Sequence, residues 1–182
     1  MSSYVTQNDL LLKNLKEFYS KNDRIDMMLR VINGDSKISL RIVDWFVTNY
    51  AKEKYIVYEL ADEKRIKVYD SYKLNLRAYS KKRFDPFCRW EHITIPYKEG
   101  VSIQTTLGQL NFFKWALENK VIKYIQDHYS EIEADMNARN STSKRRNTSG
   151  PANKTRKKRE ELSISASKTI HREEVEIVVK FN

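Results

Sequence analysis

Residues Glu91 to Ile125, EHITIPYKEGVSIQTTLGQLNFFKWALENKVIKYI, change periodicity once, and that change decides the fold class. From Glu91 to Tyr97 apolar and polar residues alternate, the period of a half-buried strand. Val101 to Thr105 pairs with it across the Lys98-Glu-Gly100 turn. Thr106-Leu-Gly-Gln109 then has the spacing of a capping box. Behind it Leu110, Phe113, Leu117, Val121, Tyr124 and Ile125 keep one face apolar for about four turns, which predicts one long amphipathic helix. A hairpin feeding directly into a helix marks an α+β body.

The residues upstream extend this reading. Leu11, Leu15, Phe18 and Tyr19 fall at helical spacing, so residues 8–20 read as an amphipathic helix. Asn22 or Asp23 caps a second, with Ile25, Met28, Leu29 and Ile32 on one face and Asn33-Gly34 as its end. Ser36 or Ser39 opens a third, striped by Ile42, Val43, Phe46, Val47 and Tyr50 with Trp45 at the margin. Tyr55 to Leu60 and Arg65 to Tyr69 are rich in β-formers and flank Ala61-Asp-Glu-Lys64, as a hairpin does. Residues 70–80 return to helical spacing until Pro86 breaks the pattern. The fold class expected is α+β: several amphipathic helices on a small antiparallel sheet.

The chain has 182 residues and a net charge of +10. That size suits one domain with a tail, or two very small domains. One cysteine, Cys88, excludes an internal disulfide framework and a cysteine-cluster zinc site. His92, His128 and His171 lie far apart, so no metal or other cofactor is expected. No apolar run is long enough to cross a membrane, and the start lacks a signal-peptide pattern.

The charge is concentrated. Residues 139–159 hold nine basic residues and no acidic one, a charge of +9. Residues 160–182 carry −2, which leaves +3 for residues 1–138. From Asn140 to Thr155 no large apolar residue occurs, and such a stretch buries too little surface to offset its ordering entropy. The sequence thus divides into a globular body (1–138), a flexible basic tail (139–172) and a short terminal strand or docking peptide (173–182). The last is suggested by the β-branched run Val175-Glu-Ile-Val-Val-Lys-Phe181, a strand in need of a sheet edge.

Catalytic motifs are scarce. None of the four glycines sits in a phosphate-binding loop, and no nucleophile elbow is present. Cys88 with His92, or Asp26, Asp44, Glu53 and Glu59 as acid/base carboxylates, lack a diagnostic spacing and read as structural or solvated residues. No enzyme activity and no small-molecule substrate are expected.

The richest local signal runs from Tyr72 to Trp90. Lys73, Arg77 and Lys81 recur every four residues, and Lys82, Arg83 and Arg89 follow among aromatics. On one face these cations would track phosphates, and exposed rings would stack on unpaired bases. The competing reading makes Tyr72, Tyr79, Phe84, Phe87 and Trp90 core or corner packing, which is expected for the rings. In the tail, Lys144, Arg145 and Arg146, then Arg156, Lys157, Lys158 and Arg159, suit non-specific DNA or RNA binding, an acidic protein surface in an assembly, or a bipartite nuclear-import signal.

Four stretches carry a resemblance: Ile38 to Tyr50, Lys73 to Arg89, Thr105 to Ala116 and Arg156 to Ile170. Together they resemble a group of uncharacterised proteins from nucleocytoplasmic large DNA viruses, of the giant-virus and algal-virus kind, from about residue 8 to the C-terminus. The resemblance implies a viral protein placed in the virion, the host nucleus or a cytoplasmic virus factory, and brings no catalytic residue with it. The function expected is a non-enzymatic viral protein that binds nucleic acid, or an acidic partner, through its basic tail. The alternative is a minor capsid or core assembly protein whose terminal strand links subunits, and the third is an enzyme without a recognisable motif.

Overall fold

A computed structural model describes residues 6–21, 23–61, 63–98, 100–148 and 171–174, with the backbone alone for 141–148 and 171–174. The elements are α1 (Gln7–Tyr19), α2 (Arg24–Asn33), α3 (Leu40–Trp45), which continues through a π-helical turn (Phe46–Tyr50) into α4 (Ala51–Glu53), β1 (Val57–Glu59), β2 (Arg65–Lys67), α5 (Val68–Arg83), β3 (His92–Lys98), β4 (Val101–Thr106), α6 (Leu107–Glu118), α7 (Val121–Asp127), α8 (Tyr129–Thr148) and β5 (His171–Glu174). β1 and β2 form an antiparallel hairpin, and β3-β4-β5 an antiparallel sheet with β4 in the middle. This is the α+β class read from the sequence.

Local chemistry sets the helix ends. Thr6 and Asp9 make a reciprocal capping box at α1. Ser39 caps α3 through the Ile42 amide. Gly34 takes the left-handed position (φ 78°) that stops α2. The apolar faces read from the sequence are the buried ones: Leu15, Phe18 and Tyr19 of α1, Met28, Leu29 and Ile32 of α2, and Ile42, Val43, Phe46, Val47 and Tyr50 along α3 and the π-turn. The hairpin is shorter than its composition suggests, because Val68 and Tyr69 already belong to α5.

The helix after β4 departs from expectation twice. α6 is not amphipathic: Leu107 to Phe113, Trp115 and Ala116 are buried on all sides, as in a central core helix. It packs against α1, α5, α7 and β4. Nor does it run four turns, for Lys120 adopts a left-handed conformation (φ 54°) that separates α7 from it. The freed end is satisfied locally. The Asn119 amide and side chain both donate to the Trp115 carbonyl, and the Tyr58 hydroxyl donates to the Asn119 carbonyl at 2.7 Å.

The C-terminal boundary also moves. The basic tail was expected to begin at residue 139, yet α8 continues to Thr148. Its first half is anchored by buried Ile132 and Met136. The Trp45 indole donates to Asp135 at 2.9 Å, and Arg139 bridges Asp135 and Glu53 at 2.9 and 2.6 Å. Extending an existing helix avoids the nucleation cost, so weak formers such as Asn140 to Ser143 follow the anchored half. Acids lead (Glu131, Glu133, Asp135) and cations end the helix (Lys144, Arg145, Arg146), the order that suits its dipole. His171–Glu174 pair with β4, Val101 opposite Glu174 and Gln104 opposite His171. The run Val175 to Phe181 lies outside the described residues.

Candidate nucleic-acid interface

The basic and aromatic run from Tyr72 to Trp90 forms α5 and a strap that returns over α6. Ser80 leaves the helical region altogether (φ 62°, ψ 166°) and separates Val68–Tyr79 from the last turn of α5. Glu91, at the other end of the strap, also has a positive φ (54°). Between them Phe84 is wholly buried among Tyr72, Tyr79, Phe112 and Trp115.

Polar side chains of β4 and α6 clamp the strap backbone. Gln109 donates to the Pro86 carbonyl (3.2 Å), the Thr106 hydroxyl to that of Cys88 (3.3 Å) and Asn111 to that of Arg83 (2.9 Å), while the Thr105 hydroxyl orients Gln109 (3.0 Å). Thr105, Thr106, Gln109 and Asn111 are the buried polar residues among those described; the last three bond strap carbonyls, and Thr105 bonds Gln109. Gly108 lets the strap approach: a β-carbon there would lie 2.9 Å from that of Cys88 and 3.0 Å from the Asp85 carbonyl. The Cys88 thiol is buried and directed at the Lys82 carbonyl (3.4 Å).

Around this scaffold the cations divide. Lys73 and Arg77 are exposed on α5, where they line an open depression with Asp70 and Leu74. Lys81, Lys82 and Arg89 are exposed on the strap side, whereas half-buried Arg83 donates to Gln7 at 3.1 Å. The single stripe Lys73–Arg77–Lys81 expected from the spacing is therefore broken, because the turn at Ser80 takes Lys81 off the helical face. Four of the five rings pack inward as expected. Trp90 does not: it is 72% exposed. Tyr72 shows how far the others are withdrawn, since burial, with Asp44 and Asp85 nearby, pushes its hydroxyl up to about 12.

The second basic group stands on α8. Lys144, Arg145 and Arg146 belong to its C-terminal part, which continues about 13 Å beyond Arg139 at the usual rise per residue. Arg139 itself holds the helix to the body and lies over the Trp45 ring (5.9 Å). Arg156, Lys157, Lys158 and Arg159 lie outside the described residues. The carboxylates weighed as acid/base groups are dispersed: Asp26 accepts from Tyr97 and pairs with Lys98, Glu53 with Arg139 and Glu59 with Arg65. His92 is exposed at the head of β3. Among the described residues no cluster of three or more His, Cys, Asp or Glu has the placement to hold a metal, and no helix is long and apolar enough to cross a membrane.

Residues 4–179 match the model of a family of unknown function, DUF7197, and the chain belongs to it. The chain is also similar to a giant-virus protein, "Uncharacterized protein L507" of Acanthamoeba polyphaga mimivirus, 41% identical over 135 residues. The alignment covers 70% of this chain and 52% of the relative, so the chain spans about half the length of the curated relative it matches. No solved structure matches.

Proposed function

We propose that this chain is a non-enzymatic protein of a nucleocytoplasmic large DNA virus that binds nucleic acid without sequence preference through a basic C-terminal arm. One observation carries the reading. α8 is fixed to the body through Asp135 and Arg139, then leads into Lys144, Arg145 and Arg146, and no acidic residue follows Asp135 until after Arg159. A cationic arm on an anchored helix releases counterions from any polyphosphate, whatever its sequence. The mimiviral relative supports the viral setting.

Replacing Arg156, Lys157, Lys158 and Arg159 by Ala is expected to weaken binding to random DNA duplexes and to flatten the salt slope by up to about 3.6, near 0.9 per lost phosphate contact. Unchanged affinity and slope refute the reading and leave an acidic protein surface as the arm's partner. A second reading, a minor capsid or core protein that joins its neighbours by strand addition, is favoured by the pairing of His171–Glu174 on β4. The same pairing made to a neighbour's β4 would link copies.

A further inference from the structure

Trp90 is the one ring of the strap left in water, and the chain ties down the backbone that leads to it. The residues before it are tied down at Arg83, Pro86 and Cys88 by the side chains of Asn111, Gln109 and Thr106, and Phe84 is sunk in the core. The Cys88 sulfur also lies 3.9 Å from the Trp90 carbonyl. Both ends of the strap, Ser80 and Glu91, sit at a positive φ that a non-glycine residue adopts at a cost. Backbone strain of this kind persists only where the surroundings impose it, and here it frames a segment that ends in an exposed indole.

We propose that Trp90 is a fixed stacking platform for an unpaired base, and that the strap face binds single-stranded nucleic acid. The proposal takes its ligand class from the reading of the basic arm but places a second contact elsewhere in the molecule. Lys81, Lys82 and Arg89 are exposed on the same segment and supply charge for the backbone of the strand. Of the acids there, Asp85 accepts the Phe87 amide, and Glu91 alone is exposed. Every base presents a π-face, so stacking on an indole is indifferent to sequence, as the arm is. A duplex hides those faces within its own stack, which makes the single strand the matching ligand.

The surroundings of Trp90 argue against the other occupants of an exposed indole. A protein hot spot sits in a desolvated apolar centre from which charge is depleted. Here Phe84, Pro86 and Cys88 turn inward and the exposed neighbours are charged. An interfacial lipid anchor needs an apolar face of several residues, and this segment presents one.

The test uses the full chain with two probes, single-stranded oligothymidylate and a random-sequence duplex, read by anisotropy and by quenching of tryptophan fluorescence. Trp90→Ala is expected to lower oligothymidylate affinity on the order of ten-fold while duplex affinity changes by less than about two-fold, and Trp90→Phe to keep most of the single-strand affinity. Thermal melts of both variants should match the native chain, since the side chain is exposed. Native oligothymidylate affinity in Trp90→Ala overturns the platform and leaves the arm untouched. A blue shift of Trp90 on phosphatidylserine vesicles, without quenching by oligothymidylate, overturns it in favour of a lipid surface. If the Ala variant of Arg156–Arg159 loses duplex binding while quenching by oligothymidylate persists, the two contacts are independent, as proposed.

Discussion

Ser80 occupies a backbone region (φ 62°, ψ 166°) that glycine reaches freely and a residue with a β-carbon reaches at about 1–3 kcal/mol. Its side chain is exposed, so a glycine there relieves that strain and forfeits about 0.5–1 kcal/mol of unfolded-chain entropy. Ser80→Gly should therefore gain about 1 kcal/mol, a rise of about 2–4 °C in Tm for a chain of this size. Gly108 carries the opposite expectation. A methyl group at this buried position meets the Cys88 β-carbon at 2.9 Å and the carbonyls of Asp85 and Lys82 at 3.0 and 3.1 Å. Two of those three are backbone, which yields only if the strap lifts. Gly108→Ala should lose about 1–3 kcal/mol and speed the reaction of the buried Cys88 thiol with a thiol reagent. A lower melting point for Ser80→Gly, or an unreactive Cys88 in Gly108→Ala, contradicts this account of the strap.

Elements with a single buried face were legible in the sequence, and elements decided by tertiary context were not. The stripes of α1, α2 and α3, the Ser39 and Thr106 caps and the Gly34 stop depend on residues within a turn of one another, so spacing exposes them. α6 hides its role because the apolar face that the spacing shows is only part of a surface buried on every side. Polar Thr105, Thr106, Gln109 and Asn111, beside Gly108 in an otherwise apolar stretch, were the available sign that another backbone docks there. The cations of the candidate site were visible as composition, but their division by the turn at Ser80 was not, since serine gives no warning of a positive φ. Composition also misjudged α8, whose second half borrows its nucleus from the anchored first half. β5 illustrates the same limit, as His171–Glu174 lack a strand composition and pair through the backbone with β4. Four residues at a sheet edge add little to the core. Removal of residues 171–182 should leave the body folded, with faster hydrogen exchange in β4 and unchanged protection in α6. If copies assemble by strand addition, the same truncation converts the oligomer to monomer, and an oligomer that survives it removes that reading.

At the scale of the molecule, three tyrosines tie the outer elements to the central helix. Tyr19 of α1 donates to the Leu110 carbonyl in α6 at 2.8 Å, Tyr58 of β1 reaches the Asn119 carbonyl between α6 and α7, and Tyr72 of α5 packs against Phe84, Phe112 and Trp115. Burial raises the pKa of all three, with Glu118 adding to the effect at Tyr19 and Tyr124 at Tyr58, and Tyr72 is brought to about 12. An unfolded chain releases these protons near pH 10. Above about pH 10 the unfolded state therefore binds fewer protons than the folded one, and stability falls as pH rises. Below that pH the three phenols are protonated in both states and contribute no slope. The net charge of +10 passes through zero near pH 9.5 and then turns negative as lysines and tyrosines lose their protons, so self-repulsion adds to the loss of stability at the alkaline end. The expected course has two stages. A first rise in phenolate absorbance leaves the near-ultraviolet circular dichroism intact, and a second, cooperative rise then coincides with its loss. If all eleven tyrosines titrate in one smooth step while the dichroism persists, the three are not the buried ties described. Binding through the basic arm should weaken as the lysines lose charge, whereas Arg145, Arg146, Arg156 and Arg159 keep theirs.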